Sequence, residues 1–287
     1  MKTNKWLILL LLVFCRCTKD HTQGKEDKVN EPIQYDERTT ISTGECFPIV
    51  SDRYVFIVPQ TEEGWLQFFE VYDDLYEFSQ LSDDVLKSIS TPGLIDALIH
   101  APAFLGFFVH SVDVGQYGWH KNYKWFNSAA ELFQRKDVGE ALLAYYKLVN
   151  FDCINLGNNI EDSGLFLTGF EVYARLVGLE ALFTKQEVLD NMNHEKKKEA
   201  VDFLLKTYNY KDSHIRFRIS LMVFLMLADQ YEPIVQYAQT HGDEFDIDYI
   251  NHGLFKPYLD HTSDPAIWDI MVSFAKDFVK ETAPKSQ

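Results

Sequence analysis

The sequence predicts an all-α protein, an irregular HEAT-like α-solenoid or a multi-helix bundle with a short extended N-terminal arm. Three observations carry this expectation. Cap residues stand ahead of apolar residues at helical spacing along most of the chain. The run Ile219-Ser220-Leu221-Met222-Val223-Phe224-Leu225-Met226-Leu227-Ala228 is apolar on all sides, as expected of a central helix covered all round. Residues 54–58 are the best strand candidate, and a single strand makes no sheet, so they read as an extended arm laid on helices.

The helices follow in order. Trp65, Phe68, Phe69, Tyr72, Leu75 and Tyr76 recur at helical spacing. Thr91-Pro92 reads as an N-cap with proline in the first turn, and Pro102 ends that helix. Asp137-x-x-Glu140 opens an amphipathic segment with Val138, Ala141, Leu142, Tyr145 and Val149 on one face. The segment 160–183 carries Gly164, Gly169, Ala174, Gly178 and Ala181, small residues that let another helix come close. Thr184-x-x-Glu187 has the form of a capping box, and Asn193 should cap the helix that packs through Val201, Leu204 and Leu205. Asp264-Pro265 starts the last helix, with Ile267, Ile270, Met271, Phe274 and Phe278 on one face. Short helices around buried inner ones suggest antiparallel pairs, although no clean period of about 34 to 47 residues is present.

Composition bounds the functional classes. With 46% apolar and 15% aromatic residues the chain as a whole is not disordered. The formal charge is −16, and residues 1–16 contain Lys2, Lys5, Arg16 and no acid, so loss of that segment takes it to −19. A chain this acidic is repelled by phosphate backbones, and it has no basic stripe, so nucleic acid is not an expected partner. The same sign disfavours anionic membrane surfaces, so membrane attachment would rely on a lipid.

The N-terminus supplies such an attachment. Lys2 and Lys5 precede the apolar run Trp6-Leu7-Ile8-Leu9-Leu10-Leu11-Leu12-Val13-Phe14, followed by Cys15-Arg16-Cys17-Thr18-Lys19-Asp20. The run is about half of the ~20 residues needed to cross a bilayer and matches an export signal. Cysteine at its end with a polar tail resembles the signal of Bacteroidetes-type lipoproteins, in which the cysteine is acylated and becomes the first mature residue. The tail Thr18-Lys19-Asp20 points to Cys17, and Leu12 three residues upstream points to Cys15 as the alternative. Residues 1–17 are then a signal peptide, 18–44 a polar tether of roughly 30 Å end to end, and 45–287 a single helical domain. Export also permits a disulfide between Cys46 and Cys153, which the sequence leaves open.

Two stretches, Ser-Thr-Pro-Gly-Leu-Ile-Asp-Ala-Leu-Ile-His-Ala-Pro at 90–102 and Phe-Asn-Ser-Ala-Ala-Glu-Leu-Phe-Gln-Arg-Lys-Asp at 126–137, resemble a set of exported bacterial helical proteins of unassigned activity. The likeness rests on caps, prolines and core apolar positions. It implies the helical fold and transfers no catalytic residue.

Candidate chemistry is sparse. His100, His110 and His120 are ten apart, but Pro102 and Gly115 interrupt any helix joining them, and no zinc-type pair occurs. Asp243, Glu244, Asp246 and Asp248 lack the spacing of a calcium loop. Asn155, Asn158, Asn159, Glu161 and Asp162 read as a loop and helix cap. No cofactor or metal is therefore expected. Glu171, Arg175 and Glu180 on one inner helix, with Arg216 and Arg218 on another, should form Glu–Arg pairs between helices, or else line a catalytic or anion-binding site. Tyr117, Trp119, Tyr123 and Trp125, with Phe126, crowd ten residues beside two glycines. Exposed, they would stack on a sugar ring or a partner's apolar side chain. The helical spacing of Trp119, Tyr123 and Phe126 favours the core instead.

The expected function is an envelope lipoprotein whose helical domain binds or scaffolds a macromolecular partner, an envelope protein or an exported basic protein. The alternatives are an all-α hydrolase or glycan-binding protein using Glu171, Glu180 and the aromatics near Trp119, or an acidic protector against a basic toxin.

Overall fold

The computed structural model describes residues 46–56, 75–104, 126–151, 166–207, 215–241 and 265–281. Among these residues there are eleven helices and no strand. They are α1 (Leu75–Phe78), α2 (Asp83–Ser88), α3 (Thr91–His100), α4 (Asn127–Leu132), α5 (Val138–Lys147) and α6 (Phe166–Leu182). Then come α7 (Gln186–Asp190), α8 (His194–Lys206), α9 (Ile215–Ala228), α10 (Glu232–Thr240) and α11 (Pro265–Lys280). The all-α expectation holds.

Helix α3 packs on α4 and α5, while α8, α9 and α11 form a second group to which α10 adds. Helix α6 touches both groups, through α3 on one side and α9 on the other. Helix α5 also reaches α7 and α8. One continuous apolar core results, running from Phe47 to Phe278. Every residue from 218 to 226 of α9 is buried, as its all-round apolar character requires.

The caps differ in detail from the sequence expectation. Ser90, not Thr91, caps α3: its Oγ accepts from the Gly93 amide at 3.1 Å, while Thr91 Oγ donates to Asp137 Oδ1 at 2.8 Å. Asp137, engaged by that hydroxyl, makes no side-chain cap on α5. The Thr184-x-x-Glu187 box is not formed, because Thr184 donates back to the Ala181 carbonyl and Lys185 becomes the N-cap of α7. Asn193 caps α8 as expected, accepting from the Lys196 amide at 2.9 Å. On α11, Met271 and Phe278 are buried, but Ile270 is 36% exposed and falls off the core face. Helix α6 is described from Phe166 onward, so Gly164 lies outside the described residues. So do Trp65, Phe68, Phe69 and Tyr72.

Residues 46–56 form an irregular strap across the first helix group. Phe47 is buried, and Val50, Tyr54 and Phe56 pack against the core. Asp52 accepts from the Ser90 amide at 2.6 Å and from its hydroxyl at 2.9 Å, which holds the Asp52 carboxyl below its usual pKa. Cys46 is disulfide-bonded, and its carbonyl accepts from the Asn150 amide at 2.8 Å. Cys153 lies outside the described residues.

Gly139 sets the approach of α5 to α7. A Cβ there would stand 2.5 Å from Met192 Cγ and 3.1 Å from the carbonyl oxygens of both Val188 and Asn191. Methionine can yield, but two backbone carbonyls cannot without moving α7. Alanine would gain about 1 kcal/mol of helix propensity, and the overpacking outweighs it. Gly139→Ala should therefore destabilise the fold by roughly 1–2 kcal/mol net, read as a lower denaturation midpoint. An unchanged or higher midpoint would show that this contact is not tight.

Candidate functional site

Two polar assemblies sit inside the helical core. The first centres on Asp96 of α3, which is 0% exposed. Its carboxylate takes a two-pronged contact from Arg53 of the strap, Nε at 2.9 Å and Nη2 at 2.8 Å. The Tyr145 hydroxyl of α5 donates to it at 2.7 Å, and Arg53 also donates to the Pro48 carbonyl. Burial and the neighbouring carboxylate both push the Tyr145 hydroxyl well above its usual pKa, so it stays a donor.

One turn on, His100 Nδ1 lies 2.8 Å from the Asp96 carbonyl, and the ring meets Phe47 edge-on. Burial first, and then the nearby Arg175 guanidinium, lower the His100 pKa to about 4 against the opposing pull of Asp96. The ring is therefore neutral at pH 7. An unfolded histidine protonates near 6.5, so the unfolded chain gains a proton first as pH falls. Stability from this site is complete above about 6.5 and is lost as pH drops from 6.5 towards 4. The span corresponds to at most about 3 kcal/mol. We expect unfolding free energy to decline by up to that amount across this window, and His100→Asn to flatten the decline. A profile equally steep in the variant would place the titration elsewhere.

The second assembly lies where α5, α6 and α9 meet. Glu180 is 1% exposed; the Tyr146 hydroxyl donates to its Oε1 at 2.5 Å, and Arg218 Nε lies 3.5 Å from the same oxygen. Arg218 donates from Nη1 to the Thr207 carbonyl at 2.5 Å, and its guanidinium sits 4.4 Å over the Phe151 ring. Its Nε and Nη2 are buried without a hydrogen-bond acceptor. Arg175, also 1% exposed, donates to the Ile99 carbonyl at the end of α3.

The structure thus brings Glu180 and Arg218 together across α6 and α9, as a Glu–Arg pair between inner helices. It buries both, together with Arg175. The side chains of Glu171 and Arg216 lie outside the described residues, as do Tyr117, Trp119, Tyr123 and Trp125. Of that aromatic group, Phe126 is buried against Tyr76. His110, His120 and the acidic and asparagine-rich loops also lie outside. Among the described residues no three His, Cys, Asp or Glu side chains are grouped to hold a metal ion. No described helix is long and apolar enough to cross a membrane.

A solvent-facing feature escaped the sequence reading. A cleft of about 540 Å³ opens between α7, the end of α9 and α10. Leu189, Phe224, Leu227 and Val235 give it an apolar floor, and Gln186, Asp190, Gln230 and Gln239 stand around it. Lys197 in its wall donates to the Ala228 carbonyl at 3.3 Å and lies 3.7 Å from Asp229, which also holds His194 Nδ1 at 2.5 Å. Lys185, beside the cleft residues Thr184 and Gln186, is buried, and desolvation lowers its pKa to about 7 against the pull of Glu187. These residues span the chain from Thr184 to Gln239, and no local motif marks them. The chain matches no protein-family model, no curated protein and no solved structure.

Proposed function

We propose that the chain is an exported, lipid-anchored protein of a bacterial cell envelope, on the periplasmic or surface side of an outer membrane, with a helical domain that binds or scaffolds a macromolecular partner. The disulfide at Cys46 supports export, because such bonds persist in oxidising compartments and are rare in reducing ones. The basic start, the short apolar run and Cys17, or alternatively Cys15, support the lipid anchor. An irregular HEAT-like arrangement is supported by consecutive helices packing as neighbours, α3 with α4, α8 with α9, and α9 with α10.

The observation that carries the binding reading is the use of the inner charges. Asp96, Glu180, Arg53 and Arg218 are spent on one another inside the core, which leaves acidic outer faces and the cleft to meet other molecules. In a chain of formal charge −16, excess acid on the outside favours an envelope or exported protein with a basic patch.

Two measurements test this. Combined Cys15→Ser and Cys17→Ser should move the protein out of the membrane fraction of its host; retention as tight as wild type would contradict the anchor. Affinity capture with the full chain should retain a basic envelope or exported protein at low ionic strength and lose it as salt passes about 0.15–0.5 M, where screening shortens below a side-chain length. Capture insensitive to salt would argue against electrostatic recognition.

A further inference from the structure

The cleft between α7, α9 and α10 has the size of a ligand pocket, about 540 Å³ against the ~300–1,000 Å³ typical of such sites. Its chemistry narrows the ligand. The floor residues Leu189, Leu227 and Val235 are aliphatic, and Phe224 is only 6% exposed, so no flat ring is offered for a sugar to stack on. The rim carries three carboxamides, and a carboxamide presents one acceptor and two donors, the complement of a peptide bond. Gln239 is exposed on α10. Gln230 is exposed, and its Nε2 donates to the Leu227 carbonyl at 3.1 Å.

Gln230 is unusual in a second way. It follows the end of α9 with φ of 55°, and the Tyr231 amide bonds back to the Met226 carbonyl at 3.0 Å, the closing bond of a helix C-terminus that ordinarily has glycine at this position. Glycine would adopt that backbone without penalty, whereas glutamine is strained there. The strained residue places a carboxamide on the rim.

Charge gives the remaining constraint. Lys197 is turned into the wall towards Ala228 and Asp229, so its charge is met there. Asp190 is exposed on the rim, holding only the Gln186 carboxamide at 2.6 Å, and Glu187 and Glu232 are exposed close by in sequence.

We infer that this cleft is a peptide-binding site: it takes an extended segment of a partner protein, with an apolar side chain on the Leu189–Leu227–Val235 floor, backbone amides on Gln230 and Gln239, and a Lys or Arg against Asp190. The inference rests on the reading of the domain as a protein-binding module and names the place and chemistry of recognition.

The test uses the full chain solubilised in detergent and a positional library of capped hexapeptides. Bound peptides should be enriched in Leu, Ile or Val at one position and in Lys or Arg two or three positions away. Asp190→Lys should reverse the charged preference to Asp or Glu and weaken the selected basic peptide by about tenfold, the order of one charge contact. Gln230→Gly should raise the thermal midpoint, by relieving the backbone, and yet weaken the same peptide several-fold; a purely structural residue would not separate the two. Absence of any enrichment, or enrichment unaffected by both substitutions, overturns the site. Binding instead of soluble glycan oligomers, lost in both variants, also overturns it and reassigns the cleft to sugars. If the library fails while wild type and Asp190→Lys capture the same basic protein equally well, the site falls and the protein-binding reading stands. If capture fails too, both fall.

Discussion

The arrangement of the helices depends on one buried carboxylate. Glu180 sits on α6, the helix that joins the two groups, and it is met by Tyr146 from α5 and Arg218 from α9. A carboxylate cannot be taken out of water alone, so these three helices must come together with those side chains facing inward. Replacing such a set by apolar residues can be neutral or stabilising, whereas removing one partner leaves a buried charge exposed to a penalty of several kcal/mol, about 3–5 in comparable cases. The pair is therefore better read as fixing which helices meet than as a net source of stability. Arg218 shows the limits of satisfaction: two of its three guanidinium nitrogens lack acceptors, and the Phe151 face compensates in part.

The Asp96 assembly does for the strap what Glu180 does for α6. A segment without helix or ladder has no backbone hydrogen-bonding pattern of its own to hold it, and residues 46–56 are instead held by side chains. Arg53 reaches Asp96, Asp52 reaches Ser90, and Phe47 fills the core beside His100. The disulfide at Cys46 secures the near end. Here pH acts on the fold, since protonating His100 would add a cation to a space already holding Arg53 and Arg175.

The sequence shows what repeats locally and hides what is brought together from a distance. Helix α9 was legible because its side chains are apolar in every direction, and Asn193 was legible because a cap acts within three residues. Thr91, Asp137 and Thr184 misled for one reason: each hydroxyl or carboxylate found another partner. Asp137 was taken by Thr91, 46 residues away, and Thr184 turned back on Ala181. The pairing of Glu180 with Arg218 was foreseeable, since charges on two buried helices have few other choices. The supporting Tyr146 was not, being one of many aromatics on an ordinary amphipathic face. The cleft left no trace, because its floor reads as core and its rim as solvated polar surface. Even Gln230, its most distinctive residue, gives no signal until its positive φ is known.

Core and surface then answer to different variables. The ion pairs of Asp96 and Glu180 are buried, where dissolved salt screens weakly, and their charges balance within a few ångströms. Most of the described carboxylates lie elsewhere, on faces in contact with water, where charges a Debye length apart are screened at about 0.15 M. Salt can thus weaken electrostatic interactions at the surface without loosening the helices, and mild acid can loosen the strap through His100 before most surface carboxylates titrate. Ionic strength and mild acid therefore act on different parts of the molecule, the one on its surface charge and the other on its strap.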